Sequence, residues 1–366
     1  MVWMSLLPLQ NLVDIQQRLQ QAGAAPMHLQ HVLRRWLHAQ PQQSAKRPLQ
    51  GFLPKAVLAE LQALCGPLLD LARLKSRHPA ADGSERLLVA LADGQTVETV
   101  LLPRGGLCVS TQVGCAVGCV FCMTGQGGLL RQLGSAEVVA QLVLARTLRP
   151  VKKVVFMGMG EPAHNLDAVL DAIQLLGSLG GIGHKNLVFS TVGDERAFAR
   201  LLALAPGQVR PALALSLHSS KDRLREQLLP RAPRLSVATL TTRAEAYARA
   251  TGYPIQYQWT LIEGVNDGDD EVEGITRLLQ GKYALMNLIP YNRVPGLPFA
   301  RPAAARAAEM ARQLHQRGIL TKLRQSAGQD VDAGCGQLRA RDEHGAPLQS
   351  AAALRRVPVK VVAQSL

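Results

Sequence analysis

The chain has 366 residues, of which 47% are hydrophobic, and a formal net charge of +14 at pH 7. This length suits one large catalytic domain with small appendages, and six cysteines in such a chain are too few for a disulfide-stabilised protein. No apolar run of about 18 residues occurs, so we expect no membrane span, no signal peptide and a cytoplasmic location. The positive charge favours a polyanionic partner, but a basic surface also serves solubility.

The first 80 residues predict a helical domain. Apolar residues recur every three or four positions in the segments 12–19, 29–37 and 56–61, as in amphipathic helices. The stretch 41–48 predicts a loop. On the second predicted helix, Arg34 and Arg35 are candidates for contacts with phosphate.

Residues 86–102 change to a period of two and predict a β-hairpin. Two β-rich runs flank Asp93 and Gly94, a dipeptide typical of tight turns between antiparallel strands. We assign residues 81–107 to a small β-hairpin adaptor.

Short β-rich runs alternate with amphipathic helices over residues 108–340. This alternation predicts an α/β fold with a parallel sheet, and about six repeats favour a complete or partial barrel. The predicted strands are 154–157, 187–190, 213–217, 256–261, 284–289 and 320–324. The tail at 341–366 is polar and basic, and its pattern predicts no element.

The most informative motif is the triad Cys115, Cys119 and Cys122. Its C-x3-C-x2-C spacing supplies one thiolate fewer than the four that normally close an iron–sulfur cluster. A four-iron cluster with three protein ligands keeps one iron open for an amine and a carboxylate, as in radical S-adenosylmethionine (SAM) enzymes. The alternatives are a structural zinc site and buried free thiols. Zinc needs a fourth ligand, and the sequence has no second C-x2-C and no H-x3-H pair.

Polar residues follow the ends of several predicted strands, where barrel enzymes place their active sites. Gly160 and Glu161 follow the first strand; glycine permits close backbone approach, and a glutamate accepts hydrogen bonds from an ammonium group. Each residue alone is explained as readily by a turn or a cap. Their recurrence after the triad predicts a SAM-binding rim. The other polar members are Ser190, Ser216, His218 and Asn292.

The other cysteines have no metal-ligand spacing. Cys335 lies in a polar, glycine-flanked loop beside Asp332, which suits an exposed nucleophile better than a buried residue. Cys108 precedes the triad. Cys65 lies on the apolar face of a predicted helix and is predicted to be buried.

Together these motifs resemble the RlmN/Cfr family of radical SAM RNA methyltransferases, over about residues 10–340. The resemblance implies a partial (β/α)6 barrel, preceded by a helical RNA-binding domain at 1–80 and the hairpin adaptor. It also implies a [4Fe–4S] cluster on the triad. The motifs that carry it are the triad, Gly-Met-Gly-Glu161-Pro, Leu-Ser-Leu-His218, Gly-Val-Asn-Asp267, Asn-Leu-Ile-Pro-Tyr-Asn292 and Asp-Ala-Gly-Cys335-Gly-Gln-Leu. The implied SAM contacts are Gly160, Glu161, Ser190, Ser216, Leu217, His218 and Asn292.

The resemblance further implies a mechanism with two cysteines and two SAM molecules per turnover. Cys335 would carry the methyl group, Cys108 would resolve the covalent adduct by forming a disulfide with Cys335, and Glu98 stands at the proton acceptor's position. The product would be an adenosine methylated on carbon, at C2 rather than C8, in ribosomal or transfer RNA. We expect a monomer that uses an electron donor such as flavodoxin or ferredoxin.

Three departures from the family pattern leave the target open. The run 190–193 lacks one polar side chain, Met123 replaces a small residue, and the basic run before Cys335 is reduced to Arg324. Another RNA target is one alternative. A second is a radical SAM enzyme for a small molecule, which would not need Cys335. A third is a non-catalytic RNA-binding or electron-transfer protein, which would close its cluster with a fourth cysteine.

Overall fold

The computed structural model describes residues 9–42 and 49–339. The tail at 341–366 and most of the predicted loop at 41–48 lie outside the described residues. Among those described, no helix combines the length and the apolarity needed to cross a bilayer.

The helices are α1 (Leu12–Gln21), α2 (Pro26–Leu37), α3 (Lys55–Asp70), α4 (Met123–Gly127), α5 (Ser135–Leu148), α6 (Leu166–Ser178), α7 (Glu195–Leu202), α8 (Asp222–Leu228), α9 (Val237–Thr251), α10 (Asp269–Leu279) and α11 (Ala304–Gln316). The strands are β1 (Arg73–Pro79), β2 (Glu85–Ala90), β3 (Thr96–Leu102), β4 (Gly106–Cys108), β5 (Gln112–Gly114), β6 (Leu129–Gln132), β7 (Lys153–Phe156), β8 (Leu187–Thr191), β9 (Ala212–Ser216), β10 (Ile255–Leu261), β11 (Ala284–Pro290) and β12 (Thr321–Leu323).

Helices α1 to α3 form at the three segments where the apolar period predicted them. Helix α1 begins with a capping box, in which the Asn11 backbone N–H donates to Asp14 Oδ2 at 3.1 Å. The helices dock on the barrel at the start of α5, where the Leu12 backbone N–H donates to Ser135 Oγ at 2.9 Å.

The prediction that Cys65 is buried is wrong, because this residue is exposed. The buried positions of α3 include Leu61, Leu64 and Leu68. Cys65 follows Leu64 directly and is therefore rotated by about 100° from it, off the buried face.

The predicted hairpin is confirmed as β2 and β3, which pair antiparallel across the turn at Asp93 and Gly94. A third strand, β1, pairs antiparallel with β2 and was missed, since the sequence analysis placed it in the helical domain. Its residues alternate between exposed and half-exposed and include three basic side chains, so it has no apolar face for a periodicity argument to detect.

All six predicted barrel strands are present, and a short strand, β4, precedes them. The large sheet has the order β1-β2-β3-β4-β7-β8-β9-β10-β11-β12, with parallel pairing from β4 onward. The sheet is not closed by pairing of β12 with β4, which matches the predicted partial barrel. The helices that follow these strands cover its outer face.

Alternate residues of each barrel strand face the covering helices or the interior. On β10, Tyr257 and Trp259 are fully buried, and α9 packs against this strand. The residues between them face the opposite way. Register places four polar residues in one row on that inner face: Ser216, Gln258, Asn287 and Lys322.

Candidate active site

The cysteine triad lies in the loop between β5 and α4, directly after the strand end at Gly114. Gly114 has a φ of +82°, and a Cβ there would lie 1.9 Å from the Gly128 carbonyl oxygen, so only glycine fits. The Cys115 backbone N–H donates to that same carbonyl at 2.9 Å. The loop is thereby fixed at the point where its first cysteine begins.

The three thiols share one desolvated site. Desolvation raises the pKa of Cys115 to about 12, and the charges of Cys122 and Glu161 act in the same direction. Desolvation also raises the pKa of Cys119, followed by the charges of Cys122 and Cys115. Three mutually repelling thiolates need a cationic centre to offset their charge. Among the described residues, no group of three His, Cys, Asp or Glu forms a site for a single metal ion.

Gly160 and Glu161 lie where β7 ends, facing the triad. Gly160 has a φ of +107°, and a Cβ there would lie 2.7 Å from the Thr111 and Gln112 side chains. Glu161 is 4% exposed, and its two carboxylate oxygens accept the backbone N–H groups of Ala163 and Val192, each at 3.0 Å. Burial raises the pKa of Glu161 to about 7, although these hydrogen bonds act against the shift. An ammonium group bound here would stabilise the ionised carboxylate.

Ser190 and Ser216 lie at the ends of β8 and β9, half-exposed on the inner face of the sheet. Leu217, which follows Ser216, is fully buried, and its backbone N–H donates to the Gln258 carbonyl oxygen at 3.0 Å. Both serines thus lie on the inner face of the sheet, Ser190 on the strand next to β7 and Ser216 on the strand after it.

His218 connects the β9 end to the triad loop. Its ring packs edge-on against Phe121 with centroids 5.0 Å apart, and its Nδ1 accepts the Thr260 backbone N–H at 2.9 Å. Burial, aided by the charge of Arg225, lowers the pKa of His218 to about 3. The imidazole is therefore neutral at physiological pH, and its Nδ1 serves as a hydrogen-bond acceptor.

Asn292 connects the rim to the Cys335 loop. It is 4% exposed, and its Nδ2 donates to Ser326 Oγ at 2.7 Å and to the Cys335 carbonyl oxygen at 3.0 Å. Its Oδ1 has no partner among the described residues. A buried amide oxygen without a partner is costly, so this atom is available to a ligand donor.

The chain brings Cys108 and Cys335 together beside the triad. Desolvation raises the pKa of Cys108 to about 12, and the charge of Cys335 adds to the shift. The thiol of Cys335, a residue with exposed surface, has a pKa raised to about 11 by desolvation and by Cys122, with Arg324 opposing. Both cysteines are free thiols in this structure. The predicted exposure of Cys335 is confirmed.

Glu98 lies on β3 of the adaptor, where its backbone N–H contacts Met159 Sδ at 3.3 Å and its side chain faces the C-terminal segment. It is fully buried, pairs with Arg86, and its Oε2 accepts the Arg339 backbone N–H at 2.8 Å. Val100 of β3 pairs with Cys108 of β4, and residues two apart on a strand face the same side. Glu98 therefore lies on the sheet face that carries Cys108. Its carboxylate therefore fixes the segment that carries Cys335.

Sequence reasoning missed Arg225, a buried cation of α8. It is 3% exposed, and its Nη2 donates to the carbonyl oxygens of Val192 and Ser216. Its Nε has no partner, and no carboxylate among the described residues forms a salt bridge with it. Desolvation lowers the pKa of Arg225 to about 10, against the charges of Cys119, Asp222 and Glu161. An arginine in a mostly polar helix gave no signal that its side chain turns inward.

The residues at this site fit a [4Fe–4S] cluster with SAM. The triad provides three soft thiolate ligands in one desolvated site. Glu161 and Arg225 offer opposite charges beside it, which suits the ammonium and carboxylate groups of one amino acid. The unpartnered Oδ1 of Asn292 adds a buried acceptor at the rim.

Known proteins resemble the chain along nearly its whole length. The sequence signature of the Radical SAM superfamily matches residues 109–279. A probable RNA methyltransferase of Leptothrix cholodnii is 65% identical over 349 residues, which cover 95% of this chain and 98% of the relative. Another, of Methylibium petroleiphilum, is 69% identical over 333 residues, covering 91% and 94%.

A solved structure supports the same relationship. The crystal structure of a radical SAM methyltransferase from Sphaerobacter thermophilus superposes with a TM-score of 0.78 at 35% identity, covering 90% of this chain and 97% of the other. Membership of this family implies a [4Fe–4S] cluster and SAM, and it confirms the resemblance that the motifs predicted. The chain belongs to the radical SAM RNA methyltransferases.

Proposed function

We propose that this enzyme methylates a ring carbon of an adenosine in RNA through a methyl group carried on Cys335. The observation that supports this proposal is the proximity of the free thiols of Cys335 and Cys108, with Cys335 also near Cys122 of the triad. C2 is the favoured carbon, and ribosomal or transfer RNA the favoured substrate. The names of the relatives support the substrate class.

Cys335 first acts as a nucleophile. Its thiolate attacks the methyl carbon of SAM, a C–S bond forms on Cys335, and S-adenosylhomocysteine leaves. The desolvated thiol of Cys335 has a raised pKa, so a nearby cation is needed to favour the thiolate, and Arg324 acts in that direction. Asn292 holds the backbone of Cys335 while its free Oδ1 is available to SAM.

The triad would hold the [4Fe–4S] cluster, which would supply the electron for reductive cleavage of a second SAM. The resulting radical would remove a hydrogen atom from the methyl group on Cys335. The remaining CH2 group would bond to the ring carbon, with one electron returned and the ring proton lost. Glu161 and Arg225 would hold the ammonium and carboxylate ends of SAM. Ser190, Ser216 and the residues 217–218 would hold its adenosine end. Two SAM molecules are therefore consumed for each methyl group transferred.

Cys108 then resolves the covalent adduct between the base and Cys335. Attack by its sulfur on the sulfur of Cys335 breaks the bond between Cys335 and the CH2 carbon and forms a disulfide. The base leaves as a carbanion, and a proton converts its CH2 group to the methyl group. Glu98 is the proposed acceptor of the ring proton, supported by its position on the sheet face shared with Cys108. The disulfide must be reduced before the next turnover, which requires an electron donor such as flavodoxin or ferredoxin and suits the reducing cytoplasm.

The helical domain would dock the RNA. Arg34 is exposed on α2, and the chain is strongly basic. In this proposal residues 1–72 bind RNA, β1 joins the adaptor, and a single copy of the chain is sufficient. The barrel over residues 108–340 performs the chemistry.

The test is nucleoside mass spectrometry. RNA from a strain lacking this protein is incubated with anaerobically reconstituted enzyme, SAM and a reductant, then digested to nucleosides. We expect 2-methyladenosine to appear. The 8-methyl isomer would redirect the assignment to C8, and no methylated adenosine in any RNA would contradict the proposal.

A further inference from the structure

The inner face of the barrel carries three basic side chains that the reaction described above does not use, apart from the effect of Arg324 on Cys335. We name Lys153, Lys322 and Arg324 the basic cluster. Lys153 is the first residue of β7, and Lys322 lies in the row of inward-facing polar residues on β12. Arg324 continues the same face two positions later, where its backbone N–H donates to the Leu288 carbonyl oxygen at 2.8 Å.

The curvature of the sheet brings these side chains together. Four strands separate β7 from β12 in the sheet order. Nevertheless the pKa of half-buried Lys153 is lowered by desolvation and then by the charges of Arg324 and Lys322. The same Arg324 acts on Cys335, so the basic cluster borders the reacting sulfur.

The basic cluster has no acidic partner within the part of the chain that the structure describes. No salt bridge or side-chain hydrogen bond there involves Lys153, Lys322 or Arg324. Lys153 is half-buried, whereas Lys322 and Arg324 are exposed. Like charges held close together repel one another, and this cost is recovered when an anion binds between them. The cluster is therefore complementary to a ligand that carries negative charge.

A neighbouring amide supplies the second observation. Asn287 is 1% exposed, shares the row of Lys322, and neither its Nδ2 nor its Oδ1 has a partner among the described residues. A buried amide with both atoms unsatisfied is rare. It can donate to and accept from one ligand, as the edge of a nucleobase or a ribose hydroxyl requires.

We propose that the basic cluster binds a backbone phosphate of the nucleotide that enters the barrel, with Asn287 hydrogen-bonding the base or ribose of that nucleotide. This inference rests on the proposed RNA substrate and adds how the substrate is held. A phosphodiester carries both the negative charge that the cluster lacks and the base that must reach Cys335. Arg324 thus contacts the substrate while it favours the thiolate of Cys335.

The experiment compares three triple variants of the full-length, reconstituted enzyme. The neutral variant is K153Q/K322Q/R324Q, and the charge-retaining variant is K153R/K322R/R324K. The control K185Q/K282Q/R317Q removes the same charges from the outside of the barrel, where Lys185 and Arg317 are exposed. The affinity for a stem–loop RNA with an adenosine in its loop is measured by fluorescence anisotropy over a range of salt concentrations.

We expect the neutral variant to bind this RNA at least about 10-fold more weakly near 0.1 M salt, with the log–log salt slope reduced by about 0.7–0.9, the value for loss of one phosphate contact. The charge-retaining and control variants should keep the wild-type slope. A wild-type slope in the neutral variant would overturn the inference, as would an equal loss in the charge-retaining or the control variant. Failure of the wild type to methylate any RNA would instead contradict the proposed function itself.

Discussion

The side-chain amide of Asn292 donates a hydrogen bond of 3.0 Å to the carbonyl oxygen of Cys335. Asn292 follows a barrel strand, whereas Cys335 lies in the loop that ends the described chain. This contact couples the residue that would bind SAM to the residue that would accept its methyl group. In the proposed mechanism, this contact would link SAM binding to methyl transfer onto Cys335.

Asn292→Ala should weaken SAM binding and slow methylation of Cys335 together. The substitution removes both the hydrogen bond to Cys335 and the Oδ1 atom that is available to SAM, so we expect about a 10-fold rise in the Kd for SAM. Equilibrium dialysis with labelled SAM and mass spectrometry of the Cys335 peptide measure the two effects. Asn186→Ala, on the far side of β8, is the control. Normal methylation of Cys335 in the Asn292 variant would disprove the coupling.

Cys119→Ala should abolish cluster binding and SAM cleavage together, because the triad has no fourth cysteine at ligand spacing to replace a lost thiolate. Iron and sulfide analysis and the yield of 5′-deoxyadenosine are the measurements. Cys65→Ala removes an exposed thiol outside the site and should leave both values unchanged. Retention of full SAM cleavage without Cys119 would refute the cluster assignment.

Replacement of the two reacting cysteines should give different results. Cys335→Ala should keep the cluster and lose methyl transfer, since the carrier is gone. Cys108→Ala should accumulate RNA covalently attached to Cys335, because no thiol resolves the adduct. A nuclease-sensitive shift on a denaturing gel detects that adduct, and an intact mass about 14 Da above the wild-type sequence detects methylated Cys335. Free methyladenosine at normal yield from either variant would exclude the two-cysteine mechanism.

Arg86→Met should destabilise the fold strongly. It leaves Glu98, which is fully buried, without its ion-pair partner, and we expect a loss of about 3–5 kcal/mol in the free energy of unfolding. Arg77→Met breaks the pair with Glu85, in which the arginine side chain is 51% exposed, and should cost much less because solvent screens this pair. Urea denaturation of the apoprotein compares them. Equal losses in the two variants would show that the Glu98 pair has no special role.

His218→Asn should reduce the acid sensitivity of the apoprotein. The pKa of His218 is lowered to about 3 in the folded state, whereas the unfolded chain protonates near 6.5. The unfolded state therefore binds more protons between these values, and stability falls as the pH is lowered through that window. In the wild type, this effect lowers the free energy of unfolding by about 1.4 kcal/mol for each pH unit between pH 6 and 4. The variant should lack this contribution. Asparagine retains an acceptor for Thr260, and the exposed His184→Asn is the control; an unchanged slope in His218→Asn would contradict the assignment.

The sequence alone determined much of the architecture and the reaction class. Amphipathic and alternating periods predicted α1 to α3, the β2–β3 hairpin and six barrel strands, because each of these elements buries one regular face. The C-x3-C-x2-C spacing determined the cluster chemistry, since local spacing limits which ligand sets can form. The sequence pattern did not predict strand β1, because an edge strand with alternating exposed charges has no apolar face.

Only the tertiary structure decided which distant residues act together. Cys335 meets Cys108 because the C-terminal segment is fixed between Glu98 of the adaptor and the triad loop, where the Met123 backbone N–H donates to the Gly336 carbonyl oxygen at 2.7 Å. The basic cluster likewise forms from strands that sheet curvature brings together. Periodicity records which face of an element is buried, but not which other element faces it. Periodicity therefore gave no indication that Cys335 lies near Cys108, a relationship that the sequence implied only through the family resemblance.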